Sequence, residues 1–482
     1  MRAVPFWFQE DNSMNLKQHT IKQSISFEGV GLHTGKTAVM TFHPAPPHYG
    51  IRFIRTDLEG KPEVRAHVDN VVATERGTVL AENGAQVHTV EHVLSALMGM
   101  QIDNVRIELS GPEPPIADGS SAPFVELLQQ AGKEEQNALR QYICIDEPIY
   151  YRDEDRQIEI VALPADEYRL TVMVDYNSSV MGSQHAMLFD WNDYPKQIAP
   201  CRTFCFLHEV EYLYSKGLIQ GGSLQNAIVI VEKPVEAAQL ERLAALFDKE
   251  EVAVQSNGIL NNLELRFHNE PARHKLLDLI GDLALLGRPL KAHVIATRPG
   301  HHANVQFAKK IKAYMEKNPS NDIKQFHPGM PAVLTATQMY EMLPHRYPFC
   351  LVDKIIYLDD EQVVGVKNVS IGEPYFQGHF PGNPVMPGVF QIEGMAQTGG
   401  ILVLNTVPDP SNYWTYLLRV DNCRFRKMVH PGDTIIYHCR ITAPIKRGII
   451  KMHSDAYVNN ELVCEADMTA SIVRKDGEKN DE

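Results

Sequence analysis

The chain has 482 residues, 44% hydrophobic and 22% charged, with a formal charge of -14. At roughly 100 to 200 residues per domain, that length allows about three domains, each able to bury a core. The acidic balance argues against wholesale binding to nucleic acid or to an anionic membrane and leaves room only for a local basic patch. Seven cysteines (144, 201, 205, 350, 423, 439, 464) are odd in number and form no C-x-x-C pair, so a reducing cytoplasm is expected rather than a disulfide framework. No apolar run approaches the ~18 residues of a spanning helix. The opening MRAVPFWFQEDNSM reaches Glu10 and Asp11 too soon for a signal peptide, and residues 1–14 are read as an extension without catalytic role.

Residues 20–110 mix short β-like runs (TAVMTFHP, GIRFIRT, NVRIELS) with a helix expected from about Val87, an α+β pattern. A Pro- and Gly-rich loop in PEPPIADGSSAPFVELLQQAG leads into an amphipathic helix capped at Ser120 or Ser121. The strands YICIDEPIYY, QIEIVAL, YRLTVMVDY and NAIVIVE predict a second α+β unit, closed by helices starting near Pro271 and near Phe307. The boundary between these two halves is set at about 138/139. NPSNDIKQFHPGMPA, polar and broken by Pro and Gly, reads as a linker over 318–332. Residues 333–474 predict five strands (VGVKNVS, TYLLRVDNCRF, TIIYHCRITAP, GIIKMHSDAYV, ADMTASIVR) around one helix opening at MPGVFQIEGMAQ, and 475–482 form a flexible tail.

Two segments carry metal-type chemistry. In RHKLLDLIGDLALLG (273–287), at about 100° per residue, His274, Asp278 and Asp282 fall within one polar face, opposite Leu276, Leu277, Leu279, Ile280 and Leu283. A lone H-x-x-x-D more often just meets water. In HTVEHVLSAL (88–97), however, His88, Glu91 and His92 cluster on a face in the same way. Zinc in a hydrolytic site takes three N or O ligands and keeps one position open. One His from 88–97, with His and Asp from 273–287, supplies them and leaves the adjoining carboxylate as a base. The rival pattern is H-x-x-E-H, in which His88 and His92 both bind metal and Glu91 activates water.

Seven ordered motifs between 15 and 317 (GVGLHTGK at 29–36, TVEH at 89–92, PIADGSSAPFV at 115–125, RTFCF at 202–206, GGSLQNAIV at 221–229, RHKLLDLIGDL at 273–283, GHHANV at 300–305) closely resemble the UDP-3-O-acyl-N-acetylglucosamine deacetylases of lipid A synthesis. The resemblance implies two βααβ-type sandwich subdomains and one Zn2+ per chain held by His92, His274 and Asp278. It implies Glu91 as general base, with His88 only a neighbour. It further implies that Thr203 helps hold the oxyanion, that His301 stabilises it and protonates the leaving amine with Asp282 orienting the ring, and that Lys275 contacts substrate or oxyanion. The segment from Asn177 to Arg202 resembles the family's passage for the acyl chain of a UDP-sugar lipid precursor.

In QGHFPGNPVMPGVFQIEGMAQ (377–397) a lone His precedes a Gly/Pro-rich turn and a helix bearing a lone Glu. With PHRYPFCLVDK (344–354), it resembles the β-hydroxyacyl-acyl carrier protein dehydratases; Gly394 stands where that family commonly has Ala. The resemblance implies a hot-dog fold, no cofactor, His379 removing the α-proton, and Glu393 protonating the departing hydroxyl. Active sites shared within a homodimer, or a hexamer built from dimers, follow from it as well. Seven basic residues (424, 426, 427, 440, 446, 447, 451) against one acid, Asp433, suit an acidic acyl carrier protein as partner. The plainer alternative is a solvated basic edge strand that discourages aggregation.

Overall fold

The computed structural model describes residues 17–175, 178, 180–210, 226–232, 235, 236, 240, 241, 244, 252–255, 258–260, 263–318, 323 and 326–475. The expected extension over 1–14, the tail beyond 475 and several linker positions lie outside the described residues. The chain divides into two compact units, Met1–Pro319 and Ser320–Glu482.

The first unit repeats one layered plan. Strands β1 (Ile25–Val30), β2 (Thr37–Pro44), β3 (Ile51–Arg55), β4 (Glu63–Arg65) and β5 (Val105–Leu109) form a sheet in the order β1-β2-β5-β3-β4. Period-two alternation in β2 turns Ala38, Met40 and Phe42 inward. Helices α1 (Glu91–Gly99) and α2 (Ala122–Ala131) cover that sheet, and Phe124 meets Phe27 edge to face at 6.3 Å. The second half has β6 (Ile149–Asp153), β7 (Ile158–Pro164), β8 (Arg169–Asp175), β9 (Ser183–Leu188) and β10 (Leu290–Thr297), ordered β6-β7-β10-β8-β9. Helices α3 (Glu270–Ala284) and α4 (His301–Lys317) pack on it. The two halves share one apolar core, and α1 crosses α3 so closely that any side chain at Gly281 would strike the Glu91 carbonyl.

Several expected boundaries move, each for a local reason. The first helix starts at Glu91 and not near Val87: residues 85–87 are a strand, and Thr89 takes a left-handed φ of 53° that no helix accommodates. The helix expected from Phe307 starts six residues earlier, at His301, behind an extended Gly300. YICIDEPIYY splits into Ile143–Cys144, which pairs beside β10, and β6. Ser121 occupies the N-cap position of α2 but makes no side-chain cap; its hydroxyl donates instead to the His92 carbonyl at 2.8 Å.

The second unit wraps a sheet around α5 (Gly388–Leu404), the hot-dog arrangement. Its strands are β11 (Leu334–Thr335), β12 (Lys354–Leu358), β13 (Gln362–Asn368), β14 (Tyr413–Phe425), β15 (Thr434–Lys446), β16 (Ile449–Val458) and β17 (Glu461–Arg474), ordered β11-β12-β13-β15-β16-β17-β14. The end of the expected linker belongs to this unit: Phe326 is buried against Tyr357, and the Met330 carbonyl accepts from Lys354 Nζ at 2.9 Å. The terminal strand β14 exposes Tyr416, Leu417, Leu418 and Phe425.

Candidate functional site

Two helices of the first unit bring three side chains to one buried point. His92 sits in the first turn of α1, and His274 and Asp278 lie one turn apart on α3. Donor atoms of all three gather within 4.8 Å of one another, the one such group among the described residues. Nε2 of His274 is 3.3 Å, and Nε2 of His92 3.8 Å, from Asp278 Oδ1. That oxygen has no hydrogen-bond partner among the described residues although it is buried. The Cys201 carbonyl accepts from His274 Nδ1 at 3.0 Å, which fixes the proton there and leaves Nε2 with its lone pair toward the cluster.

The electrostatics suit a cation. Burial, aided by neighbouring His274, drives the His92 imidazole down to about 3, and burial also lowers His274. For Asp278 burial acts upward, but its electropositive neighbours, His274 first and then Lys275 and His301, outweigh it and hold the carboxyl below the usual range. Two neutral imidazoles, one ionised carboxylate and an orphaned carboxylate oxygen are the donor set that a divalent zinc ion takes.

Beside this set stand the other expected residues of the first unit. Glu91 Oε2 accepts from the Thr78 N–H at 3.0 Å, while Oε1 lies 3.8 Å from His301 Nε2; burial pushes the carboxyl up to about 7. His301 Nδ1 is 3.0 Å from Asp282 Oδ2. Burial opposes charge on this ring, yet Asp282, Glu91 and Asp278 together raise it to about 10. Lys275 Nζ donates to Asp278 Oδ2 at 2.9 Å and lies over the Phe204 ring. Thr203 is held through its backbone: its N–H donates to Gly119 O and its carbonyl accepts from the Ile228 N–H. His88 stands outside the gathered donors, because it precedes the helix and the left-handed Thr89 separates it from the turn that His92 occupies.

Sequence reasoning missed the supports. Thr78 Oγ1 and Asn304 Nδ2 donate to Asp282 at 2.6 and 2.9 Å. The buried Glu113 carboxylate accepts from the His33 and Thr34 N–H groups and from the Thr34 and Thr89 hydroxyls, and so holds the left-handed turn just before α1. PEPPIADG reads as a loop, but nothing in its spacing names the distant groups it touches, and the stretch around Thr78 carries no motif of its own.

In the second unit His379 Nδ1 donates to the Val385 carbonyl at 2.7 Å, so Nε2 keeps its lone pair. Glu393, on the first turns of α5, accepts from Gln397 Nε2 at 2.9 Å, and His345 Nε2 is 3.3 Å from the same oxygen. Neither Gln397 nor His345 was expected. No hydrogen bond or ion pair joins His379 to Glu393 among the described residues of one chain. Of the basic group, Arg426, Lys427 and Arg440 are tied to Glu465, Glu461 and Asp455, which reduces the expected excess. Lys446, Arg447 and Lys451 stay exposed around the β15–β16 turn.

Comparison with known proteins finds two family models in tandem. The model described as UDP-3-O-acyl N-acetylglycosamine deacetylase matches residues 18–245 and 243–313, and the FabA-like domain matches residues 343–467. A "Bifunctional enzyme LpxC/FabZ" of Chlorobaculum tepidum is 48% identical over 466 residues, covering 96% of this chain and all of that protein. Its namesake in Bacteroides thetaiotaomicron is 45% identical over 95% of this chain and 99% of its own. A "UDP-3-O-acyl-N-acetylglucosamine deacetylase" of Syntrophotalea carbinolica is 40% identical over 61% of this chain and 88% of its own length. Two chemically unrelated sites in tandem on one polypeptide are thus accounted for together: the chain belongs to the bifunctional LpxC/FabZ family.

Proposed function

We propose that residues 15–317 form a zinc-dependent amidase that removes the N-acetyl group of UDP-3-O-(3-hydroxyacyl)-N-acetylglucosamine in lipid A biosynthesis. Residues 333–474, joined through 318–332, dehydrate 3-hydroxyacyl-acyl carrier protein to the trans-2-enoyl product in fatty acid biosynthesis. The observation that carries the first assignment is the buried convergence of His92, His274 and Asp278 with a free-standing carboxylate, Glu91, beside it.

His92, His274 and Asp278 would hold one zinc ion, which would supply acidified water near pH 7 and Lewis acidity toward the amide carbonyl. The remaining work falls to the chain. Glu91, at about 7, has the basicity to accept a proton near neutral pH. His301, held cationic by Asp282, donates to the developing oxyanion and then to the departing nitrogen, without which the amine cannot leave. Thr203 and Lys275 contact the oxyanion or substrate from the Phe204 side. The acyl chain runs along the segment that contains β9, where Met187 and Phe189 are exposed.

In the second half, His379 Nε2 takes the α-proton and Glu393 protonates the leaving hydroxyl; no cofactor enters. The N–H groups at the start of α5, at Gly388 and Val389, stabilise the carbanion from the positive end of the helix dipole. His379 meets Glu393 of a second copy of the chain, a homodimer supported by the exposed apolar residues on the terminal strand β14. The acidic carrier protein docks on Lys446, Arg447 and Lys451. Both reactions run in the cytoplasm; no helix among the described residues is long and apolar enough to cross a membrane.

Metal removal tests the assignment. Chelated protein should lose amine release from the acylated UDP-sugar by at least about 10²-fold and regain it with one equivalent of zinc, while dehydration of a 3-hydroxyacyl carrier thioester stays unchanged. Undiminished amine release from zinc-free protein overturns the first half; a chelator-sensitive dehydration overturns the second.

A further inference from the structure

One buried residue touches both catalytic carboxylates of the amidase site. Thr78 is fully buried, just before the short strand Val79–Glu82. Its main-chain N–H donates to Glu91 Oε2 at 3.0 Å, its hydroxyl donates to Asp282 Oδ1 at 2.6 Å, and its carbonyl accepts from the N–H of Val90, the residue before α1, at 3.3 Å. Glu91 stands on α1 and Asp282 on α3, so a single residue spans the two helices that carry the metal donors.

We propose that Thr78 is a positioning residue for the amidase reaction, fixing Glu91 and Asp282 in mutual register; the inference rests on the function proposed above. The three donors on Asp282 divide the labour. Thr78 takes Oδ1, while Asn304 and His301 Nδ1 share Oδ2, so the carboxylate cannot rotate away from the imidazole. The ring is thereby held with Nε2 toward Glu91 Oε1, the oxygen that the Thr78 N–H leaves unengaged. Because Thr78 has no exposed surface, it touches no substrate. Its influence must pass through the two carboxylates, and therefore falls on the chemical step and not on binding.

A threonine whose only role is to fill space would be replaced by valine without penalty, since the two share a shape and differ by the hydroxyl. A buried hydrogen bond to a carboxylate corresponds to about 10- to 100-fold in rate. In the zinc-loaded full chain, Thr78→Val should lower kcat for amine release by about that factor, with KM and zinc stoichiometry unchanged. Thr78→Ser, which restores the hydroxyl, should recover most of the loss. In an Asp282→Asn background the Thr78→Val effect should shrink toward nothing, the non-additivity that marks a shared path. Should the valine variant not fold, Thr78→Ala is read in the same way. A wild-type kcat in Thr78→Val, a loss equal in the serine and valine variants, or full additivity with Asp282→Asn overturns the proposal. Failure of the wild-type chain to show metal-dependent amine release removes the underlying reading instead, and this inference with it.

Discussion

The two candidate sites differ in how their parts are brought together. In the first unit the central groups come from one chain and are buried: the side chains of His274, Asp278 and Glu91 are 1%, 2% and 2% exposed. In the second, Glu393 is 33% exposed, and no hydrogen bond or ion pair joins it to His379 among the described residues. Burial lets the first site set protonation states through fixed neighbours, raising Glu91 and His301 and lowering His92. The second site leaves the two proposed acid/base residues unjoined within the described residues of one chain, as the proposed dimer requires. The lesson is that two enzymes on one polypeptide can need different things from it: the first internal rigidity, the second, on the dimer proposed above, a partner.

The sharpest way to break this contrast is to mix inactive copies. His379→Ala and Glu393→Gln chains should each be devoid of dehydratase activity. Co-expressed, they should recover about a quarter of it, since half of the random dimers are mixed and each of those has one intact site. No recovery in purified mixed dimers places both residues in one chain's site and ends the contrast. Amine release should be untouched throughout.

A smaller effect concerns the stiffness of α5. A Cβ at Gly394 would collide with the Tyr437 hydroxyl. Overpacking costs about 1 to 3 kcal/mol, whereas Ala in a helix recovers about 1 kcal/mol over Gly. Gly394→Ala should therefore lower hydrogen-exchange protection of Gly388–Leu404, and adding Tyr437→Phe should restore part of it. Higher protection in Gly394→Ala would show that the helix had room to spare.

The smallest expected effect is one of pH. Asp455, and then Asp467, hold His453 and raise it to about 9 against the burial that opposes its charge. A raised histidine stabilises the fold fully below its unfolded pKa of about 6.5, and that contribution is lost as pH climbs through 9. The side chain is 34% exposed, so screening trims the effect to about 1 kcal/mol. Protection of Ile449–Val458 in wild type should exceed that in His453→Gln at pH 6 and converge with it near pH 10. A gap that widens with pH reverses the sign and refutes the assignment.

Much of this was legible in the chain. The His274–Asp278 spacing and the polar stripe on α3 report metal-type geometry because a helix makes residues four apart neighbours. What stayed hidden depends on distance along the sequence. Thr78 reaches Asp282 across 204 positions, and Cys201 reaches His274 across 73; no local period encodes either. The start of α1 was misread because Val87 and Val90 continue an apolar rhythm, while the real stop signal, Thr89 in a left-handed turn clasped by Glu113, is a tertiary contact. For the same reason the basic excess near 424–451 looked larger than it is, since Glu461 and Glu465 sit outside that window and fold back onto it.

The acceptor that fixes the tautomer of His274 is the carbonyl of Cys201, a main-chain atom. No substitution can delete it, since every residue type brings the same oxygen. That imidazole is thus insured against side-chain changes at position 201, and only a change in the path of the backbone, by insertion, deletion or a proline that redirects the loop, would unset it.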